Sequence, residues 1–166
     1  DIFKNLKHEK IDILDPSEIQ KNDKQFIKNY FNDYVLKHVY PMLISKGVFF
    51  LLQNSAIYLC IELHLKNNKK SIHFGLIRIP SNLIPRFVKV PSDDNLRKFI
   101  FLDDVIRLNL ETVFPGYKIG NSYEFKITRD GNIDLNDEFG HDLVKKIQKG
   151  LLIRDKGSTS RFIYDK

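Results

Sequence analysis

Ile57-Tyr-Leu-Cys-Ile-Glu-Leu-His-Leu65 alternates between aliphatic and more polar positions along its whole length. After the break Lys66-Asn-Asn-Lys-Lys70, the run Ser71-Ile-His-Phe-Gly-Leu76 takes the alternation up again, with Ile72, Phe74 and Leu76 as its apolar set. A period of two over this length belongs to strands with one buried face. The Lys-Asn break has turn composition, so residues 56–79 are expected to form a β-hairpin.

Downstream, Pro80 and Pro85 interrupt regular pairing, and Arg86-Phe-Val-Lys-Val90 resumes an extended run before Pro91. Ser92 to Arg97 reads as a polar loop and Lys98 to Phe101 as a short strand. A helix is expected from Leu102 or Asp103, with Leu102, Val105, Ile106, Leu110 and Val113 on one face. Asp103 and Asp104 sit at its positive end, and Pro115-Gly116 closes it. Tyr123 to Thr128 reads as a strand and Asp130-Gly131 as a turn. A last helix is expected over about 136–154 with Phe139, Leu143, Val144, Ile147 and Leu151 inward, followed by a strand at Arg161 to Tyr164.

Upstream, Asp15-Pro16-Ser17-Glu18 has the form of a helix start, and a second start is available at Asn22 or Asp23. Ile27, Tyr30, Phe31, Tyr34, Val35 and His38 then recur on one helical face up to Pro41. The whole order predicts an α+β fold: a mixed β-sheet with helices packed on it, preceded by a long amphipathic N-terminal helix.

The 166 residues, 42% hydrophobic, suit one domain with a sizeable core. Thirteen Phe and seven Tyr without Trp predict an aromatic-rich interior. The single Cys60 excludes a disulfide framework and suits a reducing compartment. The sequence has no 18-residue apolar stretch of the kind a helical membrane span needs. Both ends read as cut, which predicts a piece of a longer chain. A net charge of +6 favours polyanionic partners, although the lysines are scattered and the densest cluster falls in the hairpin turn.

Motifs of catalysis are missing from the sequence. A nucleophilic histidine needs an orienting carboxylate and phosphate-binding cations, and none of His8, His38, His64, His73 and His141 has that context. Asp130-Gly-Asn-Ile-Asp134 begins like a calcium loop, but Leu135 and His141 stand where Gly and Glu are required. Gly116 and Gly120 lack the Lys-Ser/Thr continuation of a phosphate-binding loop. What remains are charges inside apolar blocks: Arg78, Arg86, Asp103, Asp104, Arg107, Arg129, Asp130 and Arg161. An arginine beside buried strand residues needs a carboxylate or carbonyls. The cheaper reading is therefore a structural network in which Arg86 or Arg129 meets Asp103, Asp104 or Asp130. The functional reading turns one arginine toward a phosphate path or a subunit contact.

Several blocks in fixed order carry a resemblance. They are Tyr30-Phe31 with Pro41-Met-Leu-Ile44, Ile79-Pro-Ser81 with Pro85-Arg-Phe-Val88, Leu102-Asp-Asp-Val-Ile106, Leu110 through Phe114-Pro-Gly116, Ile127-Thr-Arg-Asp130, Asp142-Leu143 and Arg161-Phe162. In this order they resemble the middle, or head, domain of the polyphosphate kinase family, over nearly the whole chain. The departure is the short link between Leu43 and Phe49, where many members are longer.

The resemblance implies residues 1–40 as a helical lead-in from a preceding domain and 41–166 as the middle domain. It implies a non-catalytic scaffold and dimer contact in an enzyme that moves the terminal phosphate of ATP onto polyphosphate through a phosphohistidine. That histidine, ATP and magnesium would belong to other domains, with no cofactor in this segment. The implied partners are those domains, a second copy of the parent and polyphosphate, with no specific nucleic acid. The implied location is cytoplasmic, any membrane association coming through the parent enzyme. Arg86 and Arg129 lie on the family-like blocks. The rival reading is a free-standing basic module for polyphosphate or nucleic acid, which needs exposed aromatics among its cations. The aromatics here fall on faces expected to be buried.

Overall fold

Strand β3 (Ile57–Leu65) lies at the centre of the larger sheet because its aliphatic positions can be covered on one side by helices. The computed structural model describes residues 2–44, 52–66, 68–92, 95–129 and 159–164. The expected hairpin forms: β3 pairs antiparallel with β4 (Asn68–Arg78), from Tyr58 opposite Arg78 to His64 opposite Ile72. On the other edge of β3 lies β7 (Tyr117–Arg129), with Tyr58 opposite Phe125 and Leu59 opposite Glu124. Outer strands β2 (Pro41–Ile44) and β8 (Thr159–Tyr164) complete a five-stranded order β2-β4-β3-β7-β8, antiparallel throughout.

Mixed pairing is confined to a second sheet of three strands. There β6 (Arg97–Phe101) runs antiparallel to β5 (Phe87–Val90) and parallel to β1 (Ile11–Ile13). The architecture is α+β. Helix α2 (Lys21–Tyr30) continues through a π-helical turn at Phe31–Val35 and a 3₁₀ turn at Leu36–His38. Ile27, Phe31 and Val35 are buried against Leu59, Ile61, Leu63 and Ile77 of the sheet and Leu102, Val105 and Ile106 of α3 (Leu102–Arg107). Gly75 on β4 leaves room for the buried Phe114 ring, which a Cβ there would meet at 2.6 Å.

Several expectations are corrected. The first helix, α1 (Ile2–His8), is short and buries no residue; the long amphipathic helix comes second. That helix does not start at Asp15. The Asp15 carboxylate accepts bonds from the Ser17 N–H at 2.8 Å and the Ser17 hydroxyl at 2.6 Å, closing a local turn that leads nowhere. Ile19 then buries itself and the helix begins at Lys21, the later start. Tyr34, expected inward, is exposed, since the π turn shifts the face.

The single helix expected over 102–113 is two, α3 and α4 (Leu110–Val113). At the break the buried Asn109 donates its side-chain amide to the Val105 carbonyl at 2.8 Å. That bond is of the local kind by which Asn competes with helix continuation. Strand β7 begins at Tyr117, earlier than Tyr123, since Tyr117 and Ile119 pair with β3 across a bulge. The poor strand formers Gly120-Asn-Ser122 had concealed this part.

The aromatic-rich interior is also overturned. Antiparallel partners share a face, so Leu59 and Ile61 place Ile77 and Gly75 inward and turn Ile72 and Phe74 outward. Phe74 (47%), Tyr123 (48%), Phe162 (53%) and Tyr164 (61%) are exposed on this outer face. A ring ladder crosses it, Tyr58 to Phe125 at 5.6 Å and Phe125 to Phe162 at 5.4 Å between centroids. The expected helix at 136–154 lies outside the described residues.

Candidate functional site

Arg86 ends the Pro80–Pro85 loop, where its carbonyl accepts the Leu102 N–H at 2.8 Å and so ties the loop to the start of α3. This places its guanidinium beside Asp103, in the first turn of that helix. Nη2 lies 2.7 Å and Nε 3.3 Å from Asp103 Oδ2, and Nη2 also lies 2.7 Å from Glu124 Oε1 on β7. The Phe101 ring is 5.9 Å from the guanidinium carbon. One cation thus joins the loop, α3 and the large sheet. Asp103 is almost fully buried, while the Arg86 side chain keeps 39% of its surface. Burial alone would pull the arginine's pKa down; the hydrogen bond and charge of Asp103, with those of Glu124, outweigh it and push the pKa up. Two carboxylates around one cation leave no positive charge in excess. The arrangement is suited to holding three elements together rather than to gripping an anion.

Of the other sequence candidates, Asp104 lies 3.9 Å from Arg107 Nε, one turn along α3. Arg107 also donates to the Ser122 carbonyl at 3.3 Å. The Arg129 backbone pairs with Thr159; its side chain, and the whole of Asp130, lie outside the described residues. Arg161 is exposed on β8. Glu124 was missed by sequence reasoning. Its signal was available: in Tyr123-Glu-Phe-Lys126 the acid falls on the inward register, opposite Leu59, and a carboxylate there requires a cation.

Arg78 is the contrasting case. From the end of β4 its guanidinium donates through Nη1 to Gln53 Oε1 and through Nη2 to Asn82 Oδ1 at 3.2 Å. Both partners are neutral. Among the described histidines, His64 Nε2 lies 3.0 Å from Glu62 Oε1, and His73 meets Tyr117 edge-on at 6.1 Å. No three metal-binding side chains converge among the described residues.

The family model described as the polyphosphate kinase middle domain matches residues 22–166. The chain belongs to that family. Polyphosphate kinase of Vibrio vulnificus is 29% identical over the whole chain, which spans 24% of that relative. For polyphosphate kinase of Escherichia coli the figures are 27% identity and 25% of the relative. The crystal structure of polyphosphate kinase from Porphyromonas gingivalis superposes with a TM-score of 0.73 over 90% of this chain and 25% of that one, at 24% identity. The chain therefore spans about a quarter of these kinases, and its helices and sheets follow the fold of that structure.

Proposed function

We propose that the chain is the non-catalytic middle domain of a polyphosphate kinase, serving as scaffold and as contact between two copies of the parent enzyme. The parent transfers the terminal phosphate of ATP to polyphosphate through a phosphohistidine on other domains, where ATP and magnesium are also held, in the cytoplasm. Residues 1–40 lead in from a preceding helical domain and 41–166 form the middle domain. The observation that carries this reading is the family match from residue 22 to 166 in a chain a quarter the length of its relatives. Two features support the scaffold role. The Arg86 cluster is neutralised and cohesive, and the outer sheet face carries four exposed aromatic rings.

Incubating the chain with labelled ATP and magnesium should leave no acid-labile phosphohistidine; stoichiometric label on any of the five histidines overturns the reading. In sedimentation the chain alone should be at most a weak dimer. The same exposed aromatics favour a second reading, a module for extended polyanions. Salt-dependent binding to both RNA and polyphosphate by the isolated chain would favour it.

No helix among the described residues is long and apolar enough to cross a membrane.

A further inference from the structure

Arg78 lines a cavity of about 310 Å³ between the end of α2's 3₁₀ turn, β2, β3 and the Pro80 loop. His38, Tyr40, Gln53, Tyr58 and Asn82 share its lining, and among the described residues no Asp or Glu does. The polar chemistry of these groups is one-sided. A guanidinium only donates, so the Gln53 and Asn82 amides are oriented with their oxygens on Arg78 and their NH₂ groups free to donate elsewhere. Three of the five guanidinium N–H groups remain after those two bonds. The Tyr58 hydroxyl accepts the Gln53 backbone N–H at 2.9 Å, which leaves its own proton to give. Among the described residues no carboxylate offsets the charge.

A cavity with an oriented, uncompensated cation and a surplus of donors lacks one component, an acceptor-rich anion. We propose that this cavity is a phosphate-binding site, taking orthophosphate or the terminal phosphoryl group of a short oligophosphate on Arg78, with the Gln53 and Asn82 amides and the Tyr40 and Tyr58 hydroxyls as further donors. A tetrahedral phosphate with several acceptor oxygens matches donors converging from several directions, whereas a planar carboxylate uses only one guanidinium edge. Arg86 cannot serve, since Asp103 and Glu124 already occupy it. The site concerns binding alone. It stands or falls apart from the scaffold reading, because it invokes neither the parent's activity nor its assembly.

The test is calorimetric titration of the chain with orthophosphate, tripolyphosphate and acetate, with amide shifts followed by NMR. Saturable phosphate binding that weakens with added salt and moves the Gln53, Arg78 and Asn82 signals is expected. Acetate should bind at least about tenfold more weakly. Orthophosphate and tripolyphosphate of equal affinity identify free phosphate as the ligand; tighter tripolyphosphate identifies a chain end. Arg78→Ala should weaken binding by about tenfold or more. Asn82→Asp, which sets a carboxylate against the guanidinium without removing it, should do the same in a chain that still folds. Lys118→Ala, at the far hairpin end, should change affinity by less than about twofold. The proposal is overturned if phosphate binding is absent, if acetate binds equally, or if affinity survives both Arg78→Ala and Asn82→Asp. Shifts centred on Lys66 and Lys118 instead would also overturn it.

Discussion

Arg86 and Arg78 flank the same loop, a few residues apart, and have opposite electrostatic surroundings. Arg86 touches one buried and one half-buried carboxylate, and its charge is consumed within the fold. Arg78 touches two neutral amides, which fix the guanidinium in place and leave its charge intact. The cause lies in what each strand end faces. Arg86 follows Pro85 and meets the first turn of α3, where Asp103 is fixed by the helix. Arg78 lies on the outer register of β4, opposite Tyr58, where the neighbours are a loop glutamine and asparagine. An arginine in an apolar block is thus cohesive or receptive according to its partners, and residue type alone does not decide which.

The largest effect that could break this contrast is expected from Arg86→Ala. Removing one partner of a fully buried pair costs about 3–5 kcal/mol, since the stranded charge stays desolvated. Solvent reaches 39% of the Arg86 side chain, which reduces the expected loss to about 2 kcal/mol. In a chain of this size that corresponds to a melting temperature lower by about 4–8 °C. A variant that melts like the parent would show that the cluster does not hold α3 to the sheet.

The pH dependence of that difference sharpens the point. Arg86 has its pKa raised on folding, so its contribution is fully present below the unfolded value and is lost only as pH rises through the still higher folded one. Both lie above the neutral range. The gap in melting temperature between the parent and Arg86→Ala should therefore stay constant from about pH 7 to pH 10. A gap that closes within that window would assign the stabilisation to some other titrating group.

Glu124→Gln should act more weakly. The carboxylate is half-buried, Asp103 still holds the arginine, and the amide oxygen can accept one bond from Nη2. A loss of about 0.5–1 kcal/mol is expected, seen as a small shift in the denaturant midpoint without a change in slope. A loss as large as that of Arg86→Ala would make Glu124 the principal partner and Asp103 the auxiliary one.

Much of this was readable from the chain, and the failures have physical causes. The β3–β4 hairpin and the α3 start followed from periodicity, because local pattern and tertiary burial agree there. The facing of β4 did not. Ile72 and Phe74 are as apolar as Gly75 and Ile77, and only the register against β3 decides which set goes inward. The same ambiguity concealed the exposed rings on the outer face. The pairing of Arg86 with Asp103 was among the expected possibilities, since both lie in short blocks of mixed apolar and charged residues. Glu124 is distant in sequence and joins them through the β3–β7 ladder. The Arg78 cavity was invisible for a related reason. Gln53 and Asn82 are ordinary loop residues until the hairpin brings both to one guanidinium.

The smallest effect on stability is expected from Arg78→Ala. Its partners are uncharged, and both Gln53 and Asn82 are exposed, so water can replace the lost donors at little cost. Among the described residues no carboxylate is left stranded, which removes the main penalty that makes Arg86→Ala severe. The melting temperature should move by no more than about 2 °C. Adding saturating phosphate turns this small effect into a discriminating one. A ligand that binds only the folded chain raises the melting temperature by mass action, so the parent and Arg86→Ala should both gain stability and Arg78→Ala should not. If Arg78→Ala melts several degrees below the parent without any ligand, the two arginines are alike. Arg78 would then be a second structural tie rather than a charge held ready for an anion.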